Sequence, residues 1–423
     1  MRPALDDRRS PLARPIQYRC LVVLLAGLLD AGRGAWAQEL TIVLDRARVV
    51  QLAASRSPSV RTAEARVDEA RALRVGAGAL TTVNPELSIL AGARFIPSGD
   101  PVPDVSVSLI WPFDFSGART QRGAVADART VLAEAEADDV RRRAIGEALD
   151  LWVRALGAEE RARIEAERAR LDEALLGVAR ARRATGTSGD GDVALATAVR
   201  AQGAARQRAA QAEREAILAL LRGRLGLAPE APVSVGGAVE DGDPPALPVL
   251  LVGLRRRTDV VRADALVRAA QSEVRLQSRL GVPVPRVTFN GAHDPEYSTH
   301  LGLDLPLPIY QRNQTATAVA GAQAATAAVE GRGVASLADA DLRAAYATWL
   351  GARDAARTLD EAGVAIDDAE HLATRAYELG ESPLAAQISV RRETVAARMA
   401  RAEAHVALAR ARVALEQTAG RFP

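Results

Sequence analysis

Two stretches of this 423-residue chain, roughly 200 positions apart, carry the same pattern. Ser57-Pro58-Ser59-Val60 leads into Ala63-Glu64-Ala65, Val67 and Ala70, and Arg257-Thr258-Asp259-Val260 leads into Ala263-Asp264-Ala265, Val267 and Ala270. Each copy continues into a proline-led strand signal, Pro85-Glu86-Leu87-Ser88 or Pro285-Arg286-Val287-Thr288. A second strand closes on Trp111-Pro112-Phe113 or Leu305-Pro306-Leu307, and a long Ala/Arg/Glu-rich tract then reaches a glycine turn at Gly186 or Gly380. Solenoid repeats run to about 50 residues, so this period marks a duplicated half-molecule.

Composition fits long helices better than a core of large side chains. Hydrophobic residues make up 48% of the chain but aromatic residues only 3%, and alanine is abundant. Small residues let helices approach closely. The expected fold is mainly α with a small β part: long antiparallel helical hairpins plus two β-hairpins. There is no lysine, and the formal net charge is +2. Residues 1–37 hold six Arg and three Asp, a net of +3, so the remainder carries about −1 (2 − 3). That balance lacks the basic footprint of a nucleic-acid binder.

Residues 1–37 read as a secretory signal peptide. Arg8, Arg9, Arg14 and Arg19 form a basic region, an apolar run spans Cys20 to Leu29, and Ala35-Trp36-Ala37 supplies small residues before a cleavage point at Gln38. The apolar run is well short of the ~20 residues of a membrane-spanning helix. Cys20 is the only cysteine and precedes the apolar run, so the mature chain is expected to hold no disulfide and no lipid-anchoring thiol. No later stretch is long enough to cross a bilayer as a helix. Membrane entry would therefore require strands in a closed barrel.

The rest divides into a first repeat, 38–242, and a second, 243–423. Residues 41–80 read as a helix broken at Ser57-Pro58. Residues 86–112 read as a β-hairpin with a loop from Pro97 to Asp104. Proline is absent from 118–185, where Ile145, Leu149, Trp152 and Leu156, and then Leu171, Leu175 and Val178, follow heptad spacing. The helix reverses near Gly186 and returns to about Leu225. Residues 226–249 read as a linker. The second repeat gives a β-hairpin over 286–306, a helix from about Asn313 to Glu378, a turn near Gly380 and a return helix to about Gln417.

The strands alternate. Val105, Val107, Leu109 and Trp111, with Leu301, Leu303 and Leu305, form an apolar face that would meet lipid. Ser106, Ser108, Thr288, Asn290, His300 and Asp304 point the other way, toward a lumen. About ten residues per strand is the length that crosses a bilayer at a tilt. Four strands cannot close a barrel, and open edges in lipid are costly. Three chains would supply twelve strands and a ring of twelve helical segments, and the duplication makes that ring nearly six-fold.

Three motifs carry a resemblance to the TolC-like outer-membrane efflux family: Asn84-Pro85-Glu86-Leu87-Ser88, Leu305-Pro306-Leu307-Pro308-Ile309-Tyr310-Gln311-Arg312-Asn313-Gln314, and Arg256-Arg257-Thr258-Asp259-Val260. The last resembles the family's Arg-Arg-Pro-Asp-Leu, with Thr258 in place of proline. The first two look most like the heavy-metal (cobalt-zinc-cadmium) branch. The resemblance implies a homotrimer whose twelve-stranded barrel sits in the outer membrane of a Gram-negative cell. A helical barrel would reach into the periplasm, where a periplasmic adaptor (membrane fusion) protein and a proton-driven, RND-type inner-membrane pump would meet it. The chain would be a passive exit duct.

Enzymatic motifs are not evident. His293, His300, His371 and His405 lack metal-ligand spacing, Gly186-Thr187-Ser188-Gly189 matches neither a P-loop nor a nucleophile elbow, and the many Glu and Asp read as solvated helix faces. No enzyme activity and no cofactor are expected. By resemblance, Gly186 and Gly380 lie at the periplasmic tip. Asp190, Asp192 and Glu381 there have two compatible readings: carboxylate rings that gate or select in a pore, or caps, with Asp190 or Asp192 before Val193 and Ser382 before Pro383. Two alternatives stand beside heavy-metal efflux. One is the same duct serving drug efflux or type I protein secretion; the other is a soluble periplasmic coiled-coil adaptor or scaffold.

Overall fold

The computed structural model describes residues 41–420 except 82, 96, 98, 238–241 and 295, so the expected signal peptide lies outside the described residues. β1 (Ile42–Leu44) ends at Asp45, whose carboxylate accepts the Arg48 N–H at 2.7 Å and caps α1 (Arg46–Arg56). Pro58 opens α2 (Pro58–Ala77), its missing N–H costing nothing in a first turn. A hairpin of β2 (Glu86–Arg94) and β3 (Val102–Pro112) follows. α3 (Ala118–Ala184) runs for 67 residues, about 100 Å at ~1.5 Å each. It returns as α4 (Asp190–Arg224). After β4 (Val233–Val235), α5 (Leu247–Gly253) and a 3₁₀ turn, the pattern repeats as α6 (Thr258–Leu280), β5 (Arg286–Asp294) and β6 (Glu296–Asp304). The second helical arm is α7 (Gln314–Glu361), α8 (Gly363–Glu378) and the returning α9 (Leu384–Thr418). The fold is mainly α with a small β part.

The two halves reuse the same devices at matching places. A residue with positive φ precedes each long helix, Gly117 (φ 76°) before α3 and Asn313 (φ 57°) before α7. Each return helix ends on a positive-φ glycine packed against the chain just ahead of the helix that leads to that half's strands, α2 or α6. A Cβ on Gly226 would lie 2.4 Å from the Arg56 carbonyl oxygen, and one on Gly420 would lie 3.4 Å from the Arg257 Cα. Each long helix also places one tryptophan in a core. Trp152 packs with Leu44, Leu149, Leu221 and Val233, and Trp349 with Leu250, Leu342 and Leu415.

Three expectations need correction. The helix expected over 41–80 starts at Arg46, because Ile42–Leu44 pairs in parallel with Val233–Val235 inside the segment read as a linker. Runs of three residues are too short to show a period, yet Leu44 is fully buried and its carbonyl accepts the Trp152 indole N–H at 2.8 Å. The helix expected over 313–378 divides at Ala362. Asp360 and Glu361 there meet the negative end of a helix dipole, and Gly363 weakens continuation. Finally, the heptad line holds for Ile145, Leu149 and Trp152, all fully buried, but nearer the tip it shifts to Leu175, Leu176 and Ala179 and leaves Val178 38% exposed.

Candidate functional site

The hairpins join into one antiparallel sheet of order β2-β3-β5-β6, and among the described residues the outer edges of β2 and β6 have no partner strand. Register decides which side chains share a face, because directly opposed residues project the same way. Leu87, Leu109, Phe289 and Leu301 form one row, and Trp111, Val287 and Leu303 the next. All seven residues expected to meet lipid are exposed: Val105, Val107, Leu109, Trp111, Leu301, Leu303 and Leu305. No helix of the described residues covers them as a packed partner, since the sheet's strands make their substantial contacts only with one another.

The other face is mostly small and polar. Ser88, Ser108, Asn290 and His300 form a row across all four strands, Ser106 lies in the next with Ala292 and Ser298, and Thr288 stands opposite Gly302. Asp304 faces Arg286 across the last pair. Thr288 is buried because Gly302 leaves its hydroxyl room; a Cβ there would sit 2.5 Å from the Thr288 Oγ1. Leu90 and Ile110 interrupt the polar pattern on this face.

Aromatic rings gather at both ends of the sheet. Trp111, Phe113 and Phe115 stack in series at 6.3 Å per step, and His293 stacks on Tyr297 at 4.4 Å beside the outer turn. The helix-side end is also where the second motif folds. Arg312 Nε donates to the Pro308 carbonyl at 2.8 Å, Gln314 Nε2 donates to the Tyr310 carbonyl at 2.8 Å, and Asn313 Nδ2 donates to the Gln277 carbonyl at 2.7 Å. These bonds build a rigid elbow from β6 into α7. The third motif ties the helices together. Arg142 Nε donates to the Thr258 hydroxyl at 2.8 Å, and that hydroxyl donates to Asp139 at 3.1 Å. Arg257 donates to Asp259 and to the carbonyls of Ala338 and Thr418.

At the far end, both helical arms reverse in the same way. Gly186 (φ 75°) and Gly380 (φ 79°) sit just past their helices, and the next N–H reaches back five residues: Thr187 to the Arg182 carbonyl at 2.9 Å, Glu381 to the Ala376 carbonyl at 2.9 Å. The two tips touch. Arg182 lies over the Tyr377 ring at 4.9 Å, and Leu175, Leu176, Ala179, Ala196, Tyr377 and Leu384 close a small core. Side-chain capping is not what the tip carboxylates do. Gly189 occupies the N-cap of α4, with Asp190 and Asp192 inside its first turn, and Pro383 occupies that of α9, so Ser382 caps nothing. Asp190 pairs with Arg183 instead, and Glu381 is exposed. Acidic residues in a first turn still favour the helix through its dipole.

The chain also holds buried charges that read from sequence as solvated faces: Asp139, Glu165, Asp172 and Glu416 are each under one-tenth exposed. The Arg182–Tyr377 contact joins residues 195 positions apart, and the burial of these carboxylates comes from packing between helices, as where Glu416 meets Arg46, 370 positions away, so neither has a local signature. No group of three or more His, Cys, Asp or Glu able to hold a metal occurs among the described residues.

No protein-family model matches the chain, and no curated protein is similar to it in sequence. Solved structures do share the fold. The CmeC outer membrane channel of Campylobacter jejuni is 15% identical with a TM-score of 0.76, covering 99% of this chain and 94% of that one. The outer-membrane channel OprN is 22% identical with a TM-score of 0.72, covering 89% of each chain. The outer membrane protein VceC of Vibrio cholerae is 17% identical with a TM-score of 0.72, covering 89% of this chain and 96% of that one.

Proposed function

We propose that this chain is the outer-membrane channel of a tripartite efflux system. One observation carries the reading: a sheet whose two outer edges have no partner strand among the described residues, and whose apolar face is exposed, is joined to long helices, one of them about 100 Å. Exposed apolar area of that extent marks a lipid or protein interface. Unpaired edges in lipid are resolved by closure of a barrel, and three copies of four strands give the even number such barrels use. In this reading the row Ser88, Ser108, Asn290 and His300 lines the lumen, and the stacked aromatic rings at each end sit at the two membrane interfaces. The shared fold with outer-membrane channels supports the same placement.

The helical arms would then cross the periplasm toward a membrane fusion protein and an RND-type pump, and the duct would do no chemistry of its own. Glu381 and Asp190, exposed at the tip with Asp190 paired to Arg183, and the half-buried Asp192 would ring the narrow end three-fold and favour cations. Heavy-metal cations are the cargo that fits the motif resemblance. The duct is tested by reconstituting the purified full chain in planar bilayers and cross-linking it in membranes. Trimeric cross-links with discrete conductance steps support it. A monomer released by high salt without detergent would leave the soluble scaffold.

A further inference from the structure

Between the two helical arms, above the tip core, lies a closed knot of charge. Asp172 and Glu165 on α3 are 1% and 7% exposed, and Gln387 and Arg391 on α9 are 3% and 8% exposed. Asp172 Oδ2, Glu165 Oε2, Gln387 Oε1, Arg391 Nε and the Arg206 Nε and Nη2 have no hydrogen-bond partner among the described residues. The long ion contacts there, Arg206 to Glu165 at 3.8 Å and Arg391 to Glu370 at 3.9 Å, are too distant to count as hydrogen bonds.

Asp172 is the extreme member. Its Oδ2 rests over Gly203 of α4, where a Cβ would lie 2.4 Å from it, so glycine leaves room for the carboxylate between α3 and α4, and from the second arm Arg391 Nη1 donates to the neighbouring Leu171 carbonyl at 3.2 Å. The charged groups set around it are Glu165 and Arg168 on α3, Arg206 on α4 and Arg391 on α9, with Glu370 of α8 and Arg398 of α9 beyond, themselves paired at 2.7 Å. A carboxylate buried without hydrogen bonds disfavours the packed state more than a neutral carboxyl in the same place does.

We propose that Asp172 is a proton-operated latch between the two helical arms: neutral, it lets them close on each other, and charged, it loosens them. Burial, the largest influence, pushes its carboxyl above the usual carboxylate value, against the opposing pull of Arg168, Arg391 and Arg206. A group whose value is raised in the packed state stabilises that state fully below its ordinary value. The stabilisation is lost as pH rises through the raised one. Closure is therefore favoured by acid. The latch is a property of the folded arms and does not depend on the transport reading.

The test is hydrogen exchange of the full-length protein from pH 4.5 to 8, corrected for intrinsic exchange, followed in segments 165–176, 200–207 and 384–394. The wild type is expected to open more readily as pH rises, by up to roughly tenfold per pH unit within the titration window for one linked proton. Asp172→Asn is expected to hold the acid level at every pH. A wild type with no pH step, or an Asp172→Asn variant that keeps the step, overturns the proposal. If Asp172→Asn does not accumulate, Glu165→Gln decides: a retained step supports Asp172 as the titrating group, and a lost step overturns it.

Discussion

The guanidinium of Arg182, at the end of one helical arm, lies 4.9 Å from the ring centre of Tyr377, in the other arm, and donates to the Tyr377 carbonyl at 3.3 Å. It bonds the two arms directly near their reversals, and it sits on the small core that closes the tip. Arg182→Ala is expected to loosen that end at a cost of about 1 kcal/mol, the scale of a partly exposed cation–π contact. Spin labels placed at Thr187 and Glu381 should report a broader distance distribution in the variant. An unchanged distribution would mean the tip is held by the apolar core alone.

Thr258 stands where the resembling motif has proline. Proline suits the first turn of a helix, but here the hydroxyl accepts from Arg142 and donates to Asp139, both buried. Thr258→Val keeps the shape and leaves both partners short, with an expected loss of about 1–3 kcal/mol in thermal or denaturant unfolding. Thr258→Pro should cost no less.

The two glycines that close the halves should differ in tolerance. Alanine at Gly226 meets the Arg56 carbonyl oxygen at 2.4 Å, whereas at Gly420 the nearest atom is 3.4 Å away. Both variants carry the left-handed backbone cost of about 1–2 kcal/mol, and Gly226→Ala adds overpacking of about 1–3 kcal/mol. Unfolding midpoints should rank wild type, then Gly420→Ala, then Gly226→Ala.

Asp259 responds to acid in the sense opposite to Asp172. Burial alone would raise its carboxyl, but hydrogen bonds from Arg257 and the Val260 N–H outweigh burial and hold it below the usual carboxylate value. Its contribution is therefore present above about pH 4 and is lost as pH falls through the depressed value. An unfolding series from pH 5 to 2 should show a steep acid limb in the wild type that is shallower in Asp259→Asn.

The duplication, the strand alternation and the helix reversals at Gly186 and Gly380 are legible in the sequence because each rests on local pattern: period two, period 3.6, or a residue tolerant of positive φ. Ile42–Leu44 and Val233–Val235 were not, since a three-residue strand acquires meaning only from a partner nearly two hundred positions away. The break at Ala362 is hard to read from sequence because helix formers continue on both sides of it. Asp172 and Glu165 read as surface charges because only packing against other helices buries them. Motif resemblance marked Thr258 and Asn313 as notable, and the structure supplies their reasons, a hydroxyl bridge and a left-handed elbow.

The central claim is that the sheet is a piece of a bilayer-spanning barrel, and β3 tests it most directly. Single cysteines at 105 through 111, in a Cys20-free background, are spin-labelled and reconstituted in lipid vesicles. Accessibility to oxygen and to a water-soluble nickel chelate is then read at each position. The account predicts an alternation of period two, with 105, 107, 109 and 111 reached from lipid and 106, 108 and 110 from water. Equal access of the water-soluble reagent to all seven positions would contradict it.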